Sequence, residues 1–414
     1  MGTGVWMGKA ALLAALLSPA VATAQEADAL PSPLSLETVA RYAREHRAEI
    51  GAARERTRAG WAAAGAAGKP PDPMLMTSLD HLPLPEVMGA DLSVMFQQSI
   101  PLSGELAART RRAQWAARAW EVDEKTTRLD VEREAVEAYL MLAEDQAMRA
   151  LVARQIASVQ SLEKVVEAKM LTSSASAADL LRMTLERAKL ELRRDSLDHQ
   201  IKVSDAMLDA ALGRAVDAAV PDCALPDAAA VPALPSPQPD ASKRPELAAM
   251  GHRVRAADEE VEVMRHMRMP MGVFGLGVAY TMSDGPGLMA SVGLSLPIWA
   301  SEYDHAIDEA KSMAAMERAS LQAMKTMVEG TVAATSHRLE AARARESTLR
   351  TQLLPLSEQV SKALLTSYAT SEGSVVSVID GLQATQMIEM EHLAARAELG
   401  RARVAWARAT GSGE

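Results

Sequence analysis

Apolar and small or polar residues alternate with a period of two in three short stretches. In 273–282, Phe274, Leu276, Val278, Tyr280 and Met282 form one side, against Val273, Gly275, Gly277, Ala279 and Thr281. In 288–296, Leu288, Ala290, Val292, Leu294 and Leu296 alternate with Met289, Ser291, Gly293 and Ser295. Earlier in the chain, Leu92, Val94 and Phe96 alternate with Asp91, Ser93, Met95 and Gln97. Period two predicts strands. Their length, about 9–11 residues, is what a tilted strand needs to cross a bilayer. Apolar on one side and small or polar on the other is the pattern of a barrel with lipid outside and water inside. A half-buried hairpin packed on a helix reads the same way.

The rest of the pattern is helical. Residues 103–170 contain no Pro and only Gly104, and are rich in the strong helix formers Ala, Leu, Glu, Arg and Lys. At 1.5 Å per residue such a segment is a rod of about 100 Å. Residues 302–368 repeat it, with breaks in the pattern at Gly330 and Pro355. Rods of that length suit coiled-coil packing, and small Ala side chains let neighbouring helices approach closely.

These elements occur twice. Glu49 and Glu246 lie 197 residues apart, as do Pro73 and Pro270. The Ile100-Pro101 and Leu296-Pro297 steps lie 196 apart, and Ser176 and Ser374 lie 198 apart. The chain is therefore read as a tandem duplication. The first copy, 25–220, holds a helix, a strand pair at 73–82 and 91–100, and a long helical hairpin at 103–212. A Pro-rich linker, 221–243, separates it from the second copy, 244–414. That copy holds a helix, a strand pair at 272–282 and 287–296, and a hairpin at 301–410. The fold class expected is mainly α with a small β part.

Composition narrows the setting. Residues 1–24 read as an export signal, with Lys9, an apolar run from Ala10 to Leu17, and Ala22-Thr23-Ala24 before the cut. No later segment is an uncharged apolar run long enough for a membrane helix. The net charge of −10, one unit more negative without Lys9, argues against nucleic acid as a partner. Cys223 is the only cysteine, so no internal disulfide forms. The eight histidines are scattered, with no zinc-protease, nucleophile-elbow or phosphate-loop motif, so no enzyme activity and no cofactor are expected.

Four strands cannot close a barrel, and open sheet edges are not tolerated in hydrocarbon. Spanning strands therefore require several chains to pool them.

The chain resembles the outer membrane efflux protein family, the TolC-like channels. The resemblance rests on Arg-Pro-Glu-Leu at 244–247 with its copy at 47–50, and on Pro-Asp-Pro-Met at 71–74. It also rests on Gln98 to Gly104 before the long helix, and on Tyr368 with Gly373 to Asp380. It implies a homotrimer whose twelve strands form a transmembrane β-barrel in outer-membrane lipid, above a periplasmic α-barrel. It further implies a periplasmic adaptor and an inner-membrane pump of the resistance-nodulation-division type as partners. The family's gate turn often reads Asp-Val-Leu-Asp; here Ser377 stands for the first acid and Asp380 for the second, with Asp179 adding charge. The small polar turns supply Thr172, Ser173, Ser176, Ser371, Gly373 and Ser374 as adaptor contacts. Phe96, Phe274, Tyr280 and Trp299 are the sparse candidates for an aromatic girdle.

The 24 methionines are unusual. Met264, Met267, Met269 and Met271 surround His266, and Met74, Met76 and Met88 lie near His81. Thioether and imidazole suit Cu(I) or Ag(I), although Met is equally a flexible apolar filler. The function expected is a passive exit duct for small solutes or metal ions. The alternative is a soluble periplasmic adaptor or coiled-coil scaffold. Such adaptors pair hairpins with a strand-rich domain, which this chain lacks.

Overall fold

The computed structural model describes residues 30, 34–80, 91–172, 175–216, 219–227, 244–282, 284–370 and 372–411. The signal segment 1–24, linker residues 228–243, and His81, Met88, Ser173 and Ser371 lie outside the described residues.

Two short helices, α1 (Leu36–His46) and α2 (Ala48–Ala67), lead into strands β1 (Met74–Asp80) and β2 (Asp91–Pro101). The hairpin of α3 (Glu105–Leu171) and α4 (Ala177–Leu212) follows. The second copy repeats the order with α5 (Pro245–Met267), β3 (Met271–Thr281) and β4 (Gly285–Leu294). Its hairpin comprises α6 (Ala300–Thr348), α7 (Leu354–Ala369) and α8 (Val375–Thr410). Helix α3 runs 67 residues without a break. It packs against α1, α2 and α4 of its own copy and against α5 and α8 of the other.

The second rod is not continuous. Helix α6 passes Gly330 unbroken, but residues Leu349–Leu353 form a wide π turn in which Leu354 N–H reaches back to Leu349 C=O. The cause is Pro355, which has no N–H to donate and whose ring crowds the carbonyl four residues earlier. One widened turn relieves that clash without ending the helix.

The four strands form one antiparallel sheet in the order β1-β2-β3-β4, joined across the copies by β2 and β3. Strand β4 begins and ends two residues before the alternating stretch 287–296. The Thr281–Gly285 pair is the last of the β3–β4 ladder, with Gly285 at φ +76°, a conformation that favours glycine.

The main core sits where α1, α3 and α4 meet, around Val39, Tyr139, Leu140, Leu142, Leu208 and Leu212. The first linker residues are strapped onto it. Leu34 N–H bonds Asp222 C=O at 2.9 Å, and Tyr139 Oη donates to Leu34 C=O at 2.8 Å and accepts from Ala224 N–H at 3.0 Å. Gln146 receives Cys223 N–H at 2.9 Å and donates to Pro221 C=O at 2.8 Å. The two Arg-x-Glu motifs fix the helix starts beside this belt: Arg47 grips Glu49 at 2.7 Å, and Arg244 grips Glu246 at 2.7 Å. Arg47 also donates to Ala211 C=O at 2.8 Å, at the end of α4, satisfying a carbonyl that the helix leaves unpaired.

Burial pushes the Cys223 thiol up to about 12, with the negative charge of Asp222 adding to the shift. The thiolate is therefore scarce at neutral pH, and the thiol is covered. Native protein at pH 8 should resist a maleimide that labels it at once after denaturation; rapid native labelling would show that the strap opens freely.

Candidate functional site

Two surfaces have the features of a working site: the hairpin tips and the sheet. At the first tip Ser176 caps α4. Its Oγ accepts from Asp179 N–H at 3.2 Å, and Asp179 Oδ2 accepts from Ser176 N–H at 3.0 Å and from its hydroxyl at 2.8 Å. This is a complete capping box. At the second tip Ser374 Oγ accepts from Ser377 N–H at 3.2 Å, and the two hydroxyls lie 2.9 Å apart. With serine in place of the acid, the reciprocal carboxylate contact is missing.

Asp179 is thus engaged locally. The Ser176 backbone N–H, then its hydroxyl, hold the Asp179 carboxyl below the usual carboxylate range. Asp380, on the second turn of α8, is exposed and without an ion-pair or hydrogen-bond partner among the described residues. Of the proposed contact residues, Thr172, Ser176 and Ser374 are exposed. Gly373 closes the turn: its N–H bonds Ser367 C=O at 3.0 Å, and a Cβ there would stand 3.0–3.2 Å from Ser367 and Tyr368.

The two tips share one core, in which Val166 and Met183 of the first hairpin join Tyr368, Val375, Val378 and Ile379 of the second. Lys169 Nζ donates to Tyr368 C=O at the end of α7 and lies 4.3 Å from the Tyr368 ring centre. Both contacts favour a cation there. The Tyr368 hydroxyl is buried without a hydrogen-bond partner. Burial raises its pKa, and the charge of Asp179 adds to the shift.

Beside the tip, Leu171, Leu181, Leu185 and Leu192 are exposed, Leu171 at 88%. Leu181, Leu185 and Leu192 recur at i, i+4 and i+11, one stripe on α4. That spacing was present in the sequence, but it is indistinguishable from an ordinary core stripe until burial is known.

The sheet presents the larger apolar surface. Leu75, Leu79, Leu92, Val94, Phe96, Phe274, Leu276, Val278, Tyr280, Leu288 and Val292 share one face by register. No substantial layer covers it: Leu288 is 86% exposed, Val292 80% and Leu75 72%. Phe96, Phe274 and Tyr280 lie on this face, and Trp299 is exposed just before α6. The other face carries mostly Gly, Ser, Thr, Asp, Gln and Met, with Pro101, Val273 and Ala279 among them.

The methionines around His266 are not gathered into one pocket. Met264 packs on Val261 and Ala314, Met267 and Met269 are exposed, and Met271 pairs with Pro101 in the sheet. His266 closes over Gly104, where a Cβ would lie 3.0 Å from its ring, and its carbonyl accepts from Ser103 Oγ at 3.1 Å. That arrangement ties the end of α5 to the start of α3.

The chain superposes on solved channel structures along nearly its whole length. OprN, an outer-membrane channel, shares 16% identity over 91% of this chain and 90% of that one, with a TM-score of 0.79. CusC, described for its folding and transmembrane channel formation, aligns over 91% of each chain at 13% identity and a TM-score of 0.81.

The fold is that of the TolC-like outer-membrane channels.

The outer membrane protein VceC of Vibrio cholerae has the same TolC-like fold, at 15% identity over 91% of this chain and 96% of that one, with a TM-score of 0.76. No family model and no curated protein sequence matches the chain. At these identities the likeness is one of fold.

The capping box gives a pH-dependent prediction. Unfolded Asp titrates near 3.9, and Asp179 lies lower in the fold. Its stabilisation is complete above about pH 4 and is lost as pH falls through the folded value. Asp179→Ala should cost about 1 kcal/mol at the start of α4, seen as several-fold faster amide exchange in 177–180 at pH 7, with the difference shrinking below about pH 4. Equal exchange at pH 7 would show that the box contributes nothing.

Proposed function

We propose that three copies of this chain form a passive exit duct in the outer membrane, the last stage of a tripartite efflux system. The observation that carries this reading is the four-stranded sheet, which has an uncovered apolar face and open edges at β1 and β4. In lipid such a face is solvated by acyl chains, and the edges must be paired by neighbours. Three chains supply twelve strands, an even number within the known range of bacterial barrels. A soluble adaptor or scaffold would leave the same face in water, which the hydrophobic effect opposes.

The helical hairpins continue the tube into the periplasm. Their tips, with Thr172, Ser173, Ser176, Ser371, Gly373 and Ser374, meet the helical ends of an adaptor that links the duct to an inner-membrane pump. The pump supplies the energy, and the duct conducts without turnover. Its cargo is small solutes or metal ions. At the periplasmic mouth Asp380 faces the lumen, Ser377 stands nearly one turn earlier, and Asp179, held ionised by its cap, adds negative field. Opening is a relative movement of the two tips about their shared apolar core.

Single-channel recording in planar bilayers tests both levels. The wild type should conduct, and divalent cations added at the periplasmic side should block it. Asp380→Ala, removing one carboxylate per chain, should weaken that block by about tenfold, equivalent to about 1.4 kcal/mol. Unchanged block would remove Asp380 from the mouth, and a wild type without conductance would overturn the duct.

A further inference from the structure

The small and polar face of the sheet carries a thioether row that conduction by itself does not require. Met76 pairs with Met95, Met95 with Gly277, and Gly277 with Met289, so three methionines from β1, β2 and β4 stand at one level. Met74 lies two residues from Met76, on the same face, opposite Gln97.

The glycines of β3 let these side chains act together. A Cβ at Gly277 would stand 2.4 Å from Val94 C=O and 2.8 Å from Met95 Cα, so the position accepts no side chain. At Gly275, Met95 Sδ lies 2.7 Å from where a Cβ would be, and it accepts a hydrogen bond from Ser291 Oγ at 3.3 Å. The Met95 thioether is therefore laid across the glycine strand toward β4 at the level of Ser291, two residues from Met289. Strands two apart are separated by about 10 Å, a gap that two flexible methionine side chains can close from either side.

The same face continues in groups that favour a cation. Ser78 and Ser93 pair with hydroxyls 2.7 Å apart, and beyond them Asp80 pairs with Asp91. Asp80 Oδ2 accepts from Ser78 Oγ at 3.2 Å and Asp91 Oδ1 from Met282 N–H at 3.0 Å, and two carboxylates directly opposite each other keep this end of the wall negative. Carboxylates, then hydroxyls, then thioethers thus follow one another along β1 and β2.

We propose that this wall binds a soft monovalent cation of the Cu(I) or Ag(I) class. The thioethers of Met76, Met95 and Met289 are its donors, and the Asp80–Asp91 pair attracts it. Thioether sulfur is a soft donor that selects such ions over hard ones. The proposal rests on the duct reading in one respect: this face is the lumen wall, so the bound ion is cargo in transit.

The test uses the full-length protein in detergent and Ag(I) alone, followed by titration and by X-ray absorption at the silver edge. The wild type should bind Ag(I) with sulfur neighbours. The Met76→Leu/Met95→Leu/Met289→Leu variant, which keeps apolar volume close to constant, should bind at least about tenfold more weakly and lose those neighbours. Met267→Leu/Met269→Leu should bind like the wild type. Equal affinity in the wild type and the triple variant, a nitrogen or oxygen shell, or loss of binding only in the Met267/Met269 variant would overturn the proposal. Conductance separates the two readings: a conducting wild type without sulfur-bound silver overturns the site alone. A non-conducting protein that holds silver through these sulfurs keeps the site and overturns the duct.

Discussion

A strand at the edge of a sheet presents a row of N–H and C=O groups that hydrocarbon cannot satisfy, at a cost of several kcal/mol for each group left unpaired. Strands β1 and β4 are such edges, and the face between them is apolar and uncovered. Water opposes the exposed face, and lipid opposes the unpaired edges. On the proposed function a closed assembly in a membrane answers both, and the rest of the molecule is organised around that closure. The tandem duplication serves it by placing β2 beside β3, which gives each chain a four-stranded segment rather than two isolated hairpins. An isolated two-stranded hairpin is at best marginal.

The helical part is incomplete in the same sense. Its apolar core is drawn out along the rods and is densest at the belt around Tyr139 and Leu140 and at the tips around Val375 and Ile379. Between the belt and the sheet, neighbouring helices are held by Ala contacts and by ion pairs such as Arg111–Glu259 and Arg112–Glu260. Exposed pairs of this kind contribute little each. The leucines Leu181, Leu185 and Leu192 of α4 lie uncovered in the single chain.

Strands β2 and β3 were legible because period-two alternation depends only on the two faces having different surroundings. The start of β4 was not, because the Gly285 turn, rather than the apolar pattern, sets it. Pro355 announced a break, but whether the helix ends, kinks or widens depends on packing against α8, and sequence does not report that. The Ser176-x-x-Asp179 spacing is that of a capping box, and the Asp179 carboxyl expected to add charge at the gate is also the one that Ser176 holds. The methionines near His266 were legible because they crowd between positions 264 and 271. The row formed by Met76, Met95 and Met289 went unnoticed because its members come from three strands in two copies, and only the β2–β3 register brings them level.

Closure by pooling is most directly tested by the native mass of the protein extracted by detergent from an outer-membrane fraction. The account predicts a detergent-dependent particle of three chains, with the detergent belt confined to the sheet end. A monomer recovered from the soluble periplasm, stable without detergent, would contradict it.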